Sequence, residues 1–137
     1  MRIIFVCTGN TCRSPMAESY AKARFKDKDI VFESRGVMAG DTTINDRSAA
    51  IIDRENLERP SAPHQLTAAD TADSLLLVMT ASHKDVVGRQ FPEADVRMIS
   101  EYAGEGVEDV MDPYGGTMDD YEVTFVQLKK FIDEFDL

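Results

Sequence analysis

The sequence predicts an α/β fold, a four-stranded parallel sheet with helices on both faces. Three observations predict it. Short apolar runs without polar alternation recur along the chain, as strands buried on both faces require. Capped or amphipathic segments of helical length lie between them. Strands that alternate with helices imply right-handed crossovers, which leave ligands at the carboxyl ends of the strands. A single domain, 1–137, accommodates the whole pattern, because 137 residues bury one core of ordinary size.

The elements follow in order. Residues 2–6 carry the apolar run IIFV and form the first strand. A loop from Cys7 to Ser14 comes next, and Ser14 as cap with Pro15 at the first helical position opens a helix to about residue 25. Residues 30–33 are a second, short strand, and a helix runs from 45 or 46 to about 57 before a loop punctuated by Pro60 and Pro63. Thr67, with Asp70 three residues on, reads as the capping box of a short helix. Residues 74–80 contain LLLVM, the strongest strand signal in the chain, and belong at the centre of the sheet. Ser82 caps a helix that stops before Pro92, and residues 96–99 are the fourth strand. A long loop, 100–117, carries DPYGG. Thr117 then caps the last helix, where Tyr121, Phe125, Leu128, Ile132 and Phe135 recur at steps of four and three on one face.

Composition narrows the functional classes. The formal net charge of −10 argues against sequence-independent binding to nucleic acid or to anionic lipid, both of which need a basic face. Any bound anion must therefore be held by a local trap. No apolar run approaches the ~20 residues of a membrane span, and the N-terminal run lacks the length and cleavage pattern of a signal peptide, so a cytoplasmic location is expected. Two cysteines, Cys7 and Cys12, are too few for a disulfide scaffold, and His64 and His83 lie too far from them in sequence for a zinc-like cluster. No metal or other cofactor is expected.

The stretch CTGNTCRS carries the chemistry. A loop between a strand end and a helix start collects backbone N–H groups and the positive end of the helix dipole, which makes an anion site on an acidic protein. Here the residues are small, Gly9 lets the backbone turn, and Arg13 adds a planar two-pronged donor for phosphate oxygens. A thiol at the base of such a cup, as Cys7 is, stands where a thiolate nucleophile is favoured and where in-line attack on phosphorus is possible. A bare C-x5-R is common by chance; the preceding strand, Gly9 and the Ser14-Pro15 helix start give it weight. The best candidate general acid is Asp112 in DVMDPYGG, stiffened by Pro113. Read locally, the same Asp-Pro can equally be a plain turn start.

The run VCTGNTCRSPMAE, the later DPYGG and the order of four strands resemble the low-molecular-weight protein tyrosine phosphatases along the whole chain. The resemblance implies that family's three-layer fold. It implies that Cys7 is the nucleophile, that Arg13 holds the phosphate and stabilises the transition state, and that Asp112 is the acid and then the base. The phosphate-binding loop would be Thr8, Gly9, Asn10, Thr11, Cys12 and Ser14, with Asn10 and Ser14 bracing it and the Ser14 hydroxyl bonded to the thiolate. It also implies a reversible disulfide between Cys7 and Cys12 that protects the nucleophile; the alternative is that Cys12 is simply a small loop residue.

Two positions depart from the usual family pattern. Thr11 stands where many members have a bulky aliphatic residue, and Gly115 where many have a second aromatic. Together with MTASHK after the third strand, these make the chain similar to the bacterial protein arginine phosphatases, in which a threonine at this position favours phosphoarginine over phosphotyrosine. The implied substrates are phosphorylated proteins, and the implied counterpart is an arginine kinase. A phosphotyrosine phosphatase is the rival reading; a non-catalytic phosphate-binding module is the other, against which the joint presence of Cys7, Arg13 and Asp112 counts. Arsenate reductases of similar fold need a resolving thiol beyond the loop, and no cysteine follows Cys12. Tyr114 is expected as a pocket wall that bears on specificity, or else packed on the sheet. His64 and His83 are expected to make surface hydrogen bonds, and Arg35 either pairs with acids or lines the pocket rim.

Overall fold

The computed structural model describes residues 1–137. Four strands, β1 (Arg2–Cys7), β2 (Val31–Gly36), β3 (Leu75–Val78) and β4 (Asp95–Met98), form one parallel sheet in the order β2-β1-β3-β4. The helices are α1 (Arg13–Arg24), α2 (Asp46–Arg54), α3 (Ala68–Thr71), α4 (Ala81–Gln90), α5 (Ile99–Tyr102) and α6 (Met118–Asp133).

Strict alternation along β1 and β3 divides two cores. Ile3, Phe5 and Cys7 with Leu75 and Leu77 point to the face covered by α1, α2 and α6, where Met16, Ile51, Phe125 and Phe131 are buried. Ile4, Val6, Leu76 and Val78 point to the other face, where Val87 of α4 and Leu66 cover them. Both central strands are buried on both sides, which is why their sequences lack polar alternation. The chain moves from β1 to β2 on one side and on to β3 on the other, so a crevice opens at the carboxyl ends of β1 and β3, next to Cys7.

The expected fold is the observed one, with local shifts that have physical causes. Ser14 does not cap α1 and Pro15 is not its first residue: the helix opens at Arg13, Cys12 holds the cap position, and no side chain caps the first turn. Its N–H groups thus stay available to an anion, while the Ser14 hydroxyl serves the loop. The second strand runs on to Gly36 because it pairs with β1 as far as Cys7↔Gly36. Thr80, not Ser82, caps α4 by accepting from the His83 N–H. The fourth strand runs from Asp95 to Met98; Ile99, expected as its last residue, instead opens α5, which continues into the expected loop. The capping box at Thr67/Asp70 forms as expected, and Thr117 caps α6 as expected, with Asp120 completing a second box there.

Arg35 is a structural ion-pair partner. Its guanidinium reaches Glu33 at 2.6 Å and Asp70 at 3.2 Å, and Arg2 joins the same two acids. The network pins β2 to α3 and lies away from the crevice. Glu18 of α1 is fully buried and accepts from Ser34 at 2.6 Å, from Lys22 at 2.7 Å and from the Ser61 N–H at 3.1 Å. It ties α1, β2 and the loop before α3 together.

Candidate active site

Residues 7–13 curl around the first turn of α1, and the chain near β2 straps them in place. The Met38 N–H donates to the Thr8 carbonyl, the Asn45 N–H to the Thr11 carbonyl, and the Ser48 hydroxyl to the Cys12 carbonyl. Asn10 takes a left-handed backbone, φ 59°, which asparagine tolerates better than most side chains. Its buried amide explains the choice: Oδ1 accepts from the His64 N–H at 2.9 Å, and Nδ2 donates to Ser14 Oγ at 2.8 Å.

That second bond orients the next one. Since the Asn10 amide nitrogen can only donate, Ser14 Oγ accepts from it, and the one proton of the Ser14 hydroxyl is left for Cys7 Sγ, 3.0 Å away. Asn10 and Ser14 therefore brace the loop from behind and aim a donor at the Cys7 sulfur.

In front of the loop lies a cavity of about 220 Å³. Its floor is Cys7, Thr8, Gly9, Thr11, Cys12 and Arg13; its opposite wall is Asp41, Asp112 and Tyr114. Arg13 is buried, donates from Nη1 to the Val110 carbonyl at 3.1 Å, and has Nη2 3.7 Å from Asp112 Oδ2. Asp112 is half exposed, so this pairing is loose and its carboxyl is open to solvent. Its other oxygen accepts from the Tyr114 N–H. Tyr114 is exposed and borders the cavity rather than packing on the sheet. Gly115 has φ 79°, the left-handed region, where an aromatic residue would be strained.

Every expected residue of the loop and of the catalytic trio is thus brought to one place. Cys12 lies within the floor, its sulfur 3.4 Å from the Tyr121 hydroxyl and 3.6 Å from Thr11 Oγ1. Burial pushes the Cys12 thiol up, which keeps it protonated beside Cys7. His64 is exposed: its backbone N–H serves Asn10, its carbonyl accepts from the Gly36 N–H, and its ring makes the expected surface hydrogen bond, to the Ala62 carbonyl.

Three residues that matter here escaped the sequence reading. Asp41 comes from the loop after β2 and adds a second carboxylate to the cavity wall. Gly36 packs against the loop: a Cβ there would lie 2.7 Å from the Thr8 carbonyl oxygen and 2.9 Å from the Asn10 nitrogen. His83, expected at the surface, is buried with Nε2 2.9 Å from Thr8 Oγ1. The usable signal is topological, since all three lie at or after the carboxyl ends of β2 and β3, the strands that flank β1.

The site thus gathers a buried thiol, a helix start that no side chain caps, a buried guanidinium and a solvent-facing carboxyl around one cavity. Comparisons with known proteins agree with it. The family model described as low molecular weight phosphotyrosine protein phosphatase matches residues 2–135. The low molecular weight protein-tyrosine-phosphatase PtpB of Staphylococcus haemolyticus is 43% identical over 130 residues, which are 93% of this chain and 92% of that one. Among solved structures, the YwlE arginine phosphatase of Geobacillus stearothermophilus superposes with a TM-score of 0.92 at 30% identity, covering 97% of this chain and 88% of its own. A YwlE arginine phosphatase variant with a phosphorylated active-site serine in place of cysteine has a TM-score of 0.92 at 32% identity, covering 98% and 92%. Matched by the family model over almost its full length, and by a relative well above 30% identity, this chain belongs to the low molecular weight protein-tyrosine phosphatase family of cysteine-dependent hydrolases.

Proposed function

We propose that this protein removes phosphate from phosphoarginine in proteins by a two-step phosphocysteine mechanism. Cys7 Sγ attacks phosphorus in line, and the bond from phosphorus to the guanidino nitrogen breaks as Asp112 gives its proton to that nitrogen. Arg13 and the N–H groups of the loop hold the phosphoryl oxygens, whose charge spreads over them in the transition state. Asp112, now a carboxylate, takes a proton from water, which attacks the phosphocysteine; inorganic phosphate leaves and the Cys7 thiolate returns. The phosphorylated serine of the YwlE variant supports the corresponding role for Cys7.

The observation that carries the choice of substrate is the company around the cavity: Thr11 in the floor with Asp41 and Asp112 in the wall. Asp112 can protonate either leaving group, but a second acid beside it, Asp41, suits a cationic guanidinium better than an uncharged tyrosine ring. The structural neighbour named arginine phosphatase supports the same reading. Phosphotyrosine is the second reading, favoured by the name of the staphylococcal relative. In the first reading the enzyme works in the cytoplasm, opposite a kinase that phosphorylates arginine.

The test compares kcat/KM for a phosphoarginine peptide and a matched phosphotyrosine peptide on the native chain and on Thr11→Ile. Phosphoarginine is expected to win on the native chain by about tenfold or more, ~1.4 kcal/mol of differential transition-state binding, with the order reversed in Thr11→Ile. A native preference for phosphotyrosine overturns the substrate assignment and leaves the phosphocysteine chemistry standing.

A further inference from the structure

His83 is the third residue of α4, where its backbone N–H donates to Thr80 Oγ1 at 3.0 Å. Its ring lies beneath the phosphate loop, only 7% exposed. Nε2 is 2.9 Å from Thr8 Oγ1, and Nδ1 is buried without a hydrogen-bond partner. Thr8 itself is exposed and lines the cavity floor. A buried imidazole with one nitrogen on a cavity hydroxyl and the other unpartnered is an unusual arrangement, and it constrains where protons can be.

Burial and the Arg13 guanidinium hold the imidazole down at about 4, against weaker opposite pulls from Asp112 and Asp109. The positive end of α4 works in the same direction as Arg13. The ring is therefore neutral at physiological pH and carries one N–H. Placing it on Nδ1 would bury a donor with no acceptor, while placing it on Nε2 leaves only a bare lone pair at Nδ1. Orphaned buried N–H groups are rarer than under-used acceptors, and a lone pair is also the form that a positive field favours.

We propose that His83 is a positioning residue for the phosphate site: its Nε2–H donates to Thr8 Oγ1, which leaves the Thr8 proton to donate to an oxygen of the phosphoryl group. The same logic operates at the back of the loop, where an Asn10 amide occupies the Ser14 oxygen and aims the Ser14 proton at Cys7. Two fixed donors thus orient two hydroxyls, one toward the sulfur and one toward the phosphate. The inference holds for phosphoarginine and phosphotyrosine alike, because it concerns the group they share.

Two measurements test it. Two-bond 1H–15N NMR spectra of the native protein near neutral pH read the tautomer directly; Nε2–H is expected for His83, and Nδ1–H overturns the proposal. The inhibition constant of inorganic phosphate, measured against p-nitrophenyl phosphate hydrolysis, is then compared for the native chain, Thr8→Val, His83→Phe, His83→Gln and the Thr8→Val/His83→Phe double variant. Loss of one hydrogen bond to a charged group predicts about tenfold weaker phosphate binding in Thr8→Val and in His83→Phe, with no further loss in the double variant. His83→Gln, whose amide can still donate to Thr8 Oγ1, is expected to stay within about threefold of native. Unchanged phosphate binding in His83→Phe, or losses that simply multiply in the double variant, overturns the proposal. The tautomer is read on native protein, so a poorly folding variant does not remove the test.

Discussion

Gly36→Ala tests whether the phosphate loop is held in shape by what lies under it. Gly36 ends β2 directly beside the loop, and its own backbone is fixed on both sides: its N–H donates to the His64 carbonyl, and its carbonyl accepts from Leu66. A Cβ built on it sits 2.7 Å from the Thr8 carbonyl oxygen, 2.9 Å from the Asn10 nitrogen and 3.0 Å from the Gly9 carbonyl carbon. All three are backbone atoms, so no side chain can swing aside. Restoring an ordinary 3.4 Å contact requires the Thr8 oxygen to retreat by 3.4 − 2.7 = 0.7 Å. Thr8 also accepts from Met38, and Asn10 is pinned by His64 and Ser14, so the loop cannot move without loosening those bonds. Overpacking of this kind costs about 1–3 kcal/mol, which lowers Tm by roughly 3–10 °C in a domain of this size. Displacement of the loop by much of an ångström should lower kcat/KM for p-nitrophenyl phosphate by roughly 10- to 100-fold. The assay pairs thermal unfolding with steady-state kinetics. A variant with native Tm and native kcat/KM would refute the idea that Gly36 is required by close backbone approach.

Cys7→Ser should retain binding of phosphate ligands and lose turnover; substantial remaining turnover would sink the assignment of Cys7 as nucleophile. Mild hydrogen peroxide should inactivate the native enzyme, oxidising Cys7 to a sulfenic acid that condenses with the Cys12 thiol to a disulfide and releases water, and a dithiol should restore activity. The prediction fails if activity lost under mild peroxide stays lost in the native chain, or is recovered equally well in Cys12→Ser. Acid should weaken the fold through His83, whose depressed folded value of about 4 lies below the unfolded 6.5 and is set by burial and by Arg13 against Asp112 and Asp109. The unfolded chain binds the extra proton between those values, so this contribution is full above about pH 6.5, shrinks as pH falls toward 4, and totals about 3 kcal/mol. Urea unfolding of the native chain and His83→Gln at pH 7 and 4.5 isolates the histidine, because the other titrating groups are common to both; equal losses in the two proteins would contradict it.

The sequence by itself determined the parallel sheet, the alternation of strands and helices along the chain and the groups that the loop offers. Those are local properties: short apolar runs such as IIFV and LLLVM, bounded by turn residues, fit strands buried on both faces, and a small-residue loop between a strand end and a helix start favours an anion. Cys7 and Arg13 share one turn of chain, so their spacing alone put them together. Asp112 needed the resemblance as well, since Asp-Pro also starts ordinary turns.

What only the tertiary structure decided is how distant segments meet that loop. Asp41 reaches the cavity because its loop follows β2, the strand paired with β1, and nothing in the residues around it marks an aspartate as a pocket wall. His83 lies beneath Thr8 because β3 also pairs with β1 and delivers the start of α4 to the same edge of the sheet. Arg35 turned to Glu33 and Asp70 rather than the pocket because strand alternation and the place of α3 put those acids within reach. Gly36 lacks a side chain because a backbone it never meets in sequence passes against it. Local rules specify which group a segment offers; the pairing of strands, a long-range event, specifies which group stands opposite.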